Sequence, residues 1–337
     1  MIDVRSDTVT LPSAEMMTAM FNAKVGDDVF GEDPSVNKLE QYAANLFEME
    51  AALFCASGTM SNQIAIKVHT QPGDEIICHH LSHIYQYEGG GIAFNSGCSV
   101  KLLNGNYGIV SASDVEEAIN PSDIHKAQSR LVCLENTTNR GGGACYTIEQ
   151  ITAIQQVCEH HQLLLHLDGA RLFNALVANG ETPAAYGKLF NSISICLSKS
   201  LGAPVGSILL GSTTFIAKAR RIRKIFGGGM RQAGYLAAAG LYALQHNVER
   251  LTTDHHHAQL IASALLNSKF VQKLLPVTTN IVIFEVAEPF SAKEIVEAFK
   301  KNNIYVMQMT KNQIRFVLHL NISIQMVETI IQTIKSI

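Results

Sequence analysis

Seven short apolar runs alternate with helical patterns between residues 51 and 211. The runs are AALFCAS (51–57), DEIICHH (74–80), SVKLLNG (99–105), SRLVCLEN (129–136), QLLLHLDGA (162–170), SISICLSK (192–199) and GSILLG (206–211). Between them GTMSNQIAIKVHTQ (58–71), SASDVEEAIN (111–120) and TIEQITAIQQVCEHH (147–161) read as helices. Strands apolar at successive positions are buried on both faces, so the pattern predicts a mostly parallel sheet covered by helices. The expected class is α/β.

A long alanine-rich helical pattern (234–267) closes this region. After it, NIVIFEV, SAKEIVEAFKKNN, IYVMQM, QIRFVLHL and SIQMVETIIQTIKSI read as strand, helix, strand, strand and helix, a smaller α+β unit. We therefore expect a large domain over 14–245 and a small one over 246–337, with 1–13 near the site. No window reaches the ~20 apolar residues of a membrane span. Charges in MIDVRSDTVTLPS leave no core for an export signal. The seven cysteines are odd in number and scattered, which fits reduced thiols in a cytoplasm. A formal net charge of −3 gives no reason to expect nucleic acid.

In open α/β sheets, ligands sit at the carboxyl ends of the strands. Asp168 ends QLLLHLD and is read either as a ligand-binding carboxylate or as a helix cap. Lys199 follows SISICLS, inside an otherwise small and apolar stretch. It either reaches solvent by its long stem or is desolvated into a nucleophilic amine that forms a Schiff base. Together an acid and a lysine on separate strand ends suit pyridoxal phosphate. The lysine holds the aldehyde, and the carboxylate keeps the ring nitrogen protonated. CASGTMSN (55–62) offers a phosphate cup at a helix start. HHLSHIYQYE (79–88) offers His79, His80, His83, Tyr85 and Tyr87 to cover the ring, or else is a surface loop capped by Ser82. Its spacing admits a metal, but no matching carboxylate or cysteine cluster accompanies it, so none is expected.

IDVRSDTVTLPSAEM, VGDDVFGEDPSVNKLE, ALFCASGTMSNQIA, SHIYQYEGGG, LHLDGARLFNA, LSKSLGAPVGS and GGGMRQAG occur in this order along nearly the whole chain. The set resembles the low-specificity L-threonine aldolases, pyridoxal-phosphate enzymes of fold type I. The resemblance implies Lys199 as the Schiff-base lysine, Asp168 as partner of the ring nitrogen and His83 stacked on the ring. It puts Gly58 and Thr59 in the phosphate cup, and Ser6, Arg171 and Arg315 on the substrate carboxylate, with Arg171 also near the cofactor. Lys224 and Arg231 match basic residues that approach the cofactor, across a subunit interface of a homotetramer built as a dimer of dimers. The implied reaction is retro-aldol cleavage of L-threonine, L-allo-threonine and related β-hydroxy-α-amino acids to glycine and an aldehyde. The alternatives are β-elimination, transamination or a catalytically impaired relative. Two positions depart from the family: Phe30 stands where tyrosine is common, and Thr138 where histidine faces the substrate's β-hydroxyl. Thr138 either contacts that hydroxyl or only shapes the pocket. Lys218, Arg220 and Arg221 are read as a solvated helix face, and HHH (255–257) and HH (160–161) as surface features.

Overall fold

Seven strands form one sheet in the order Ala51–Cys55, Ser207–Gly211, Ser192–Cys196, Leu164–Gly169, Ser129–Glu135, Glu75–His79, Ser99–Leu103. The computed structural model describes residues 1–337. All neighbouring strands are parallel except Ser207–Gly211, which runs antiparallel to both of its neighbours. The expected α/β class with a mostly parallel sheet is the observed one.

Successive residues of each strand enter different cores. Ala52, Phe54, Val132, Leu134, Leu165, Leu167, Ile193 and Ile195 join one core with helices Pro34–Phe47, Ile148–His160, Leu172–Asn179 and Gly234–His246. Leu53, Cys55 and Leu209 face helices Gly58–His69 and Thr213–Ile225 on the other side. Cys78, Leu131 and Cys133 form a further cluster there with Ile66. Two apolar faces explain why the runs read as continuous. Helix starts are fixed by side chains: Asp33 accepts from the amides of Ser35 and Val36 with Pro34 at the first position, and Ser57 accepts from Met60.

The second core belongs to an antiparallel sheet ordered Met307–Gln308, Gln313–Val317, Ile281–Val286, Val271–Leu274, backed by helices Leu251–Leu266, Ala292–Lys301 and Ile324–Ser336. Ile2 and Val4 are part of it. The segment Ile2–Asp3 pairs in parallel with Ile304–Tyr305, so the first residues are anchored beside the small sheet before the chain enters the large one. The strands Ile2–Asp3 and Val271–Leu274 are not apparent from periodicity, being short and half-polar.

Three expectations need correction. The pattern 234–267 is two helices, Gly234–His246 and Leu251–Leu266, because the chain turns at Asn247, whose side chain donates to Leu201 O at 2.8 Å. His257 is buried, and His255 bonds to Asn174 Oδ1 at 3.0 Å, where burial pushes its pKa down to about 4. Neither is a surface histidine. Arg220 is paired with Glu40 at 2.7 Å and lies 3.8 Å from Asp28, so it leaves the solvated face assigned to it. No helix is long and apolar enough to cross a membrane, and all seven cysteines are free thiols.

Arg223, buried beside Arg220, donates to Phe54 O at 2.7 Å and to Asp28 Oδ2 at 2.6 Å. Removing one partner of such a pair strands a charge out of water. Asp28→Ala is therefore expected to lose about 3 kcal/mol in a urea titration, whereas Arg221→Ala on the exposed side of the same helix loses under about 0.5 kcal/mol.

Candidate active site

Strand order places the carboxyl ends of Leu164–Gly169 and Ser192–Cys196 side by side, with the start of helix Gly58–His69 above them. Asp168 emerges at the first of these ends, buried. Its Oδ1 accepts from the amide of Ala170 at 3.1 Å and its Oδ2 from Asn62 Nδ2 at 3.0 Å. The Asx-type bond to Ala170 and the contact with Asn62 hold one rotamer. The next helix, Leu172–Asn179, has Arg171 at its N-cap with no side-chain cap bond, so Asp168 is not a helix cap.

Of the five aromatic and imidazole groups in 79–88, His83 reaches this carboxylate. His79 and His80 face the carbonyls of Gly105 and Leu103 at 3.2 Å, and Tyr85 and Tyr87 are exposed. His83 Nδ1 lies 3.0 Å from Glu88 Oε1, and its amide donates to Glu135 Oε2 at 2.7 Å. Burial opposes charge on His83, but the bond to Glu88 and the nearby Asp168 and Glu88 charges outweigh it and raise its pKa above 6.5. Glu135 sits opposite Asp168 in the sheet register, where burial and then the Asp168 charge raise its pKa.

His83, Glu88 and Asp168 bring one ligand-type atom each within 4.8 Å of one another. Carboxylates do therefore accompany the histidine, contrary to the sequence-level reason for setting a metal aside. Their lone pairs are met by protein donors: Glu88 takes Asn62 Nδ2 at 2.9 Å, Gln63 Nε2 at 2.6 Å and His83.

Lys199 projects from a tight loop after Ser192–Cys196, closed by Leu197 N donating to Gly206 O at 2.9 Å and Gly202 N to Lys199 O at 2.8 Å. Gly202 has φ +84°, a left-handed conformation that disfavours side chains. The lysine is half-buried and lines a small cavity with Gly169, Ala170, Arg171, Cys196 and Ser200. Its charge acts on Asp7, His83 and Cys196. Leu172, Phe173 and Leu201 also line it, so the amine meets apolar side chains and charged groups together.

Arg171 is buried and its forked edge is filled by Asp7, with Nε to Oδ2 at 2.8 Å and Nη2 to Oδ1 at 2.7 Å. Ser200 Oγ also donates to Asp7, at 2.9 Å. Burial alone would raise the pKa of Asp7, yet the Arg171 guanidinium and the Lys199 charge hold it well below the usual carboxylate range. Arg171 Nη1 and Arg315 Nη1 share Asn139 Oδ1 at 3.3 and 2.8 Å. Arg315 has no carboxylate of its own. Its Nη2 donates to Arg5 O at 3.0 Å, its Nε is buried without a partner, and burial with the Arg171 charge pulls its pKa down to about 10. Of the two arginines, Arg315 is the one still able to take an anion.

The remaining predicted residues are spread around this centre. Ser6 Oγ accepts from Thr8 N and Thr8 Oγ1 at 3.3 and 2.9 Å, next to Asp7. Gly58 and Thr59 open their helix, and a Cβ on Gly58 would come within 2.5 Å of Cys196 Sγ. Thr138 is buried and donates its hydroxyl proton to Tyr107 O at 2.8 Å. Lys224 and Arg231 are exposed. Arg231 pairs with Asp27 at 2.9 Å and lies over the exposed Phe30 ring at 5.9 Å. Asp7, Asn62, Glu88, Glu135 and Asn139 were not singled out from the sequence. Asp7, Asn62 and Glu88 lie in motif blocks quoted for other residues, Glu135 ends an apolar run and Asn139 follows Thr138, and nothing in their type distinguishes them from surface polar groups.

The beta-eliminating lyase family model matches residues 3–289. A probable low-specificity L-threonine aldolase of Arabidopsis thaliana is 41% identical over 343 residues, covering 100% of this chain and 97% of its own. The low specificity L-threonine aldolase of Escherichia coli K12 is 41% identical over 324 residues, covering 96% and 95%. Among solved structures, a threonine aldolase of Leishmania major superposes with a TM-score of 0.86 at 21% identity, covering 100% of this chain and 99% of that one, a likeness of fold.

Asp7 supplies a pH test. A carboxyl with a lowered folded pKa stabilises fully above the unfolded value of about 4 and loses that contribution as the pH falls below it. Asp7→Asn should lose about 3 kcal/mol at neutral pH. Its urea midpoint should then decline less than the parent's between about pH 4.5 and 3, with the two measured side by side.

Proposed function

Because the chain belongs to the beta-eliminating lyase family, we propose that it cleaves L-threonine, L-allo-threonine and related β-hydroxy-α-amino acids to glycine and an aldehyde, with pyridoxal phosphate as cofactor. The observation that carries this reading is Arg315, a buried guanidinium with no carboxylate of its own that shares Asn139 Oδ1 with Arg171, which in turn lines a cavity with Lys199. Such a charge fits an α-carboxylate, and Lys199 and Asp168 fit the two ends of a pyridoxal ring system.

The residues present fit the cofactor. Lys199 is the amine for its aldehyde, Asp168 the acceptor for its ring nitrogen, His83 the cover of one ring face, and the helix start at Gly58 and Thr59 the cradle of its phosphate. A side chain at Gly58 would collide with Cys196, so the cradle keeps its bare backbone. Bound there, pyridoxal phosphate supplies an electron-withdrawing ring that takes up charge freed at Cα. The protein's own groups do the rest. Arg315 with Ser6 and Asn139 orients the carboxylate, while Arg171, held by Asp7, supports Asn139 and borders the cofactor. His83, with Nδ1 tied to Glu88, presents Nε2 to the β-hydroxyl proton. Thr138, its proton given to Tyr107, shapes the wall and tunes the choice between threo and erythro substrates.

We take 14–245 as the cofactor-binding domain and 246–337, with 1–13, as the domain that brings Arg315. The family resemblance supports a homotetramer, a dimer of dimers, in which the exposed Lys224 and Arg231 would reach a neighbouring subunit's cofactor. Free thiols support a cytoplasmic location.

The direct test is product analysis on L-threonine and L-allo-threonine. Glycine with acetaldehyde is expected, whereas an oxoacid with ammonia, or a new amino acid, would replace this reading with elimination or transamination. Lys199→Ala should purify without the yellow cofactor colour and without turnover. Arg315→Ala should keep the colour and raise KM for threonine about tenfold or more, the loss of one charge-assisted pair.

A further inference from the structure

Behind Asp168 a line of buried polar side chains crosses the sheet. Asn62 Nδ2 lies 3.0 Å from Asp168 Oδ2 and 2.9 Å from Glu88 Oε1. Asn62 Oδ1 lies 3.2 Å from His166 Nε2, His166 Nδ1 2.8 Å from Ser192 Oγ, and Ser192 Oγ 2.8 Å from His69 Nε2. Asn62, His166 and Ser192 are buried, and each has its polar atoms partnered. The line begins where His69 stacks on Phe215, ring centroids 4.5 Å apart, at a cavity lined by Arg130, Leu164 and Asn191 at the amino ends of the parallel strands, the end opposite Lys199.

The direction of every bond follows from its last member. Two carboxylates at Asn62 Nδ2 use both amide hydrogens, which leaves Oδ1 as an acceptor. His166 must then donate from Nε2. A neutral His166 accepts at Nδ1, so Ser192 gives it its hydroxyl proton and in turn accepts from His69 Nε2–H. Burial, outweighing the Asp168 charge, lowers the pKa of His166 to about 4, and burial takes His69 to about 3, so both rings are neutral at working pH. Each bond therefore donates toward Asp168 and Glu88, and successive donors polarise one another in a dry interior.

We propose that His69, Ser192, His166 and Asn62 form a one-way donor chain that positions Asp168, so that His166 is a positioning residue for the reaction although it touches neither cofactor nor substrate. The proposal rests on Asp168 partnering the cofactor ring and names what holds that partner in place. Nothing in the chain needs to move protons: the amide of Asn62 separates the carboxylates from the imidazole, and the rings act through fixed tautomers.

Two readouts test it on the full-length protein loaded with pyridoxal phosphate. Side-chain nitrogen NMR with labelled histidine should find the proton on Nε2 of both His69 and His166. A proton on Nδ1 of His166 overturns the direction of the chain. Alongside, His166→Phe fills the space without a donor, and His166→Gln restores one near the Nε2 position. The Phe variant should weaken cofactor binding and lower kcat, each about tenfold. Its cofactor absorption band should shift, and KM for threonine should stay within about twofold. Gln should recover most of each change.

A folded Phe variant with the parent's spectrum, cofactor affinity and kcat overturns the proposal, as does a Gln variant no better than Phe. If the Phe variant does not fold, Ser192→Ala removes only the hydroxyl. It should weaken cofactor binding about threefold with a band shift of the same sign, and an unchanged spectrum overturns the proposal. Failure of the parent to bind the cofactor at all would refute the functional reading instead, while the histidine protonation would still decide the chain's direction.

Discussion

The forked pair between Asp7 and Arg171 joins parts of the molecule that share no secondary structure. Asp7 lies in the first turn of the chain, Arg171 after the strand Leu164–Gly169, and Ser200 on the lysine loop. Asn280, just before the inner strand Ile281–Val286 of the small sheet, donates to Ser200 Oγ at 2.9 Å and thereby brings in the small domain. A buried pair contributes little net stability once desolvation is counted, but breaking it leaves a stranded charge. Its value is specificity of arrangement: Lys199, Arg315 and Asp168 have fixed relative positions only while the N-terminal segment stays in place.

Charge around the centre is arranged so that each group's compensation is unequal. Arg171 has a full carboxylate, while Arg315 shares only carbonyl and amide oxygens. Glu88 is saturated with donors, and Asp168 keeps fewer. Unequal compensation leaves the Arg315 cation without a carboxylate partner and Asp168 with fewer donors than Glu88. A small zwitterionic amino acid on an aromatic cofactor has the complementary charge pattern.

Much of this was legible early. The double-faced apolar runs carried the parallel sheet, the motif blocks singled out Lys199, Asp168 and His83, and Arg315 stood out in a strand of the small unit. What escaped was partnership. Asp7 stands in a block read for Ser6, Glu88 in one read for His83, and Asn139 beside Thr138. Each is an ordinary polar residue whose significance depends on partners elsewhere in the chain: 164 positions away for Asp7 and Arg171, 26 and 25 for Glu88 with Asn62 and Gln63, and 32 and 176 for Asn139 with Arg171 and Arg315. Arg220 and His257 were misread for the same reason, since a charged helix face or a histidine run looks solvated until another element packs on it.

Local pattern determined the strands, the helix caps and which residue types stand at strand ends, because periodicity and side-chain to backbone bonds act over a few positions. Tertiary structure alone decided which arginine is neutralised, which histidine meets the carboxylates and that the lysine lies among charges. Those outcomes depend on distances of about 3 Å between segments remote in sequence, and hydrogen bonds and ion pairs in a dry interior are sensitive to just that separation.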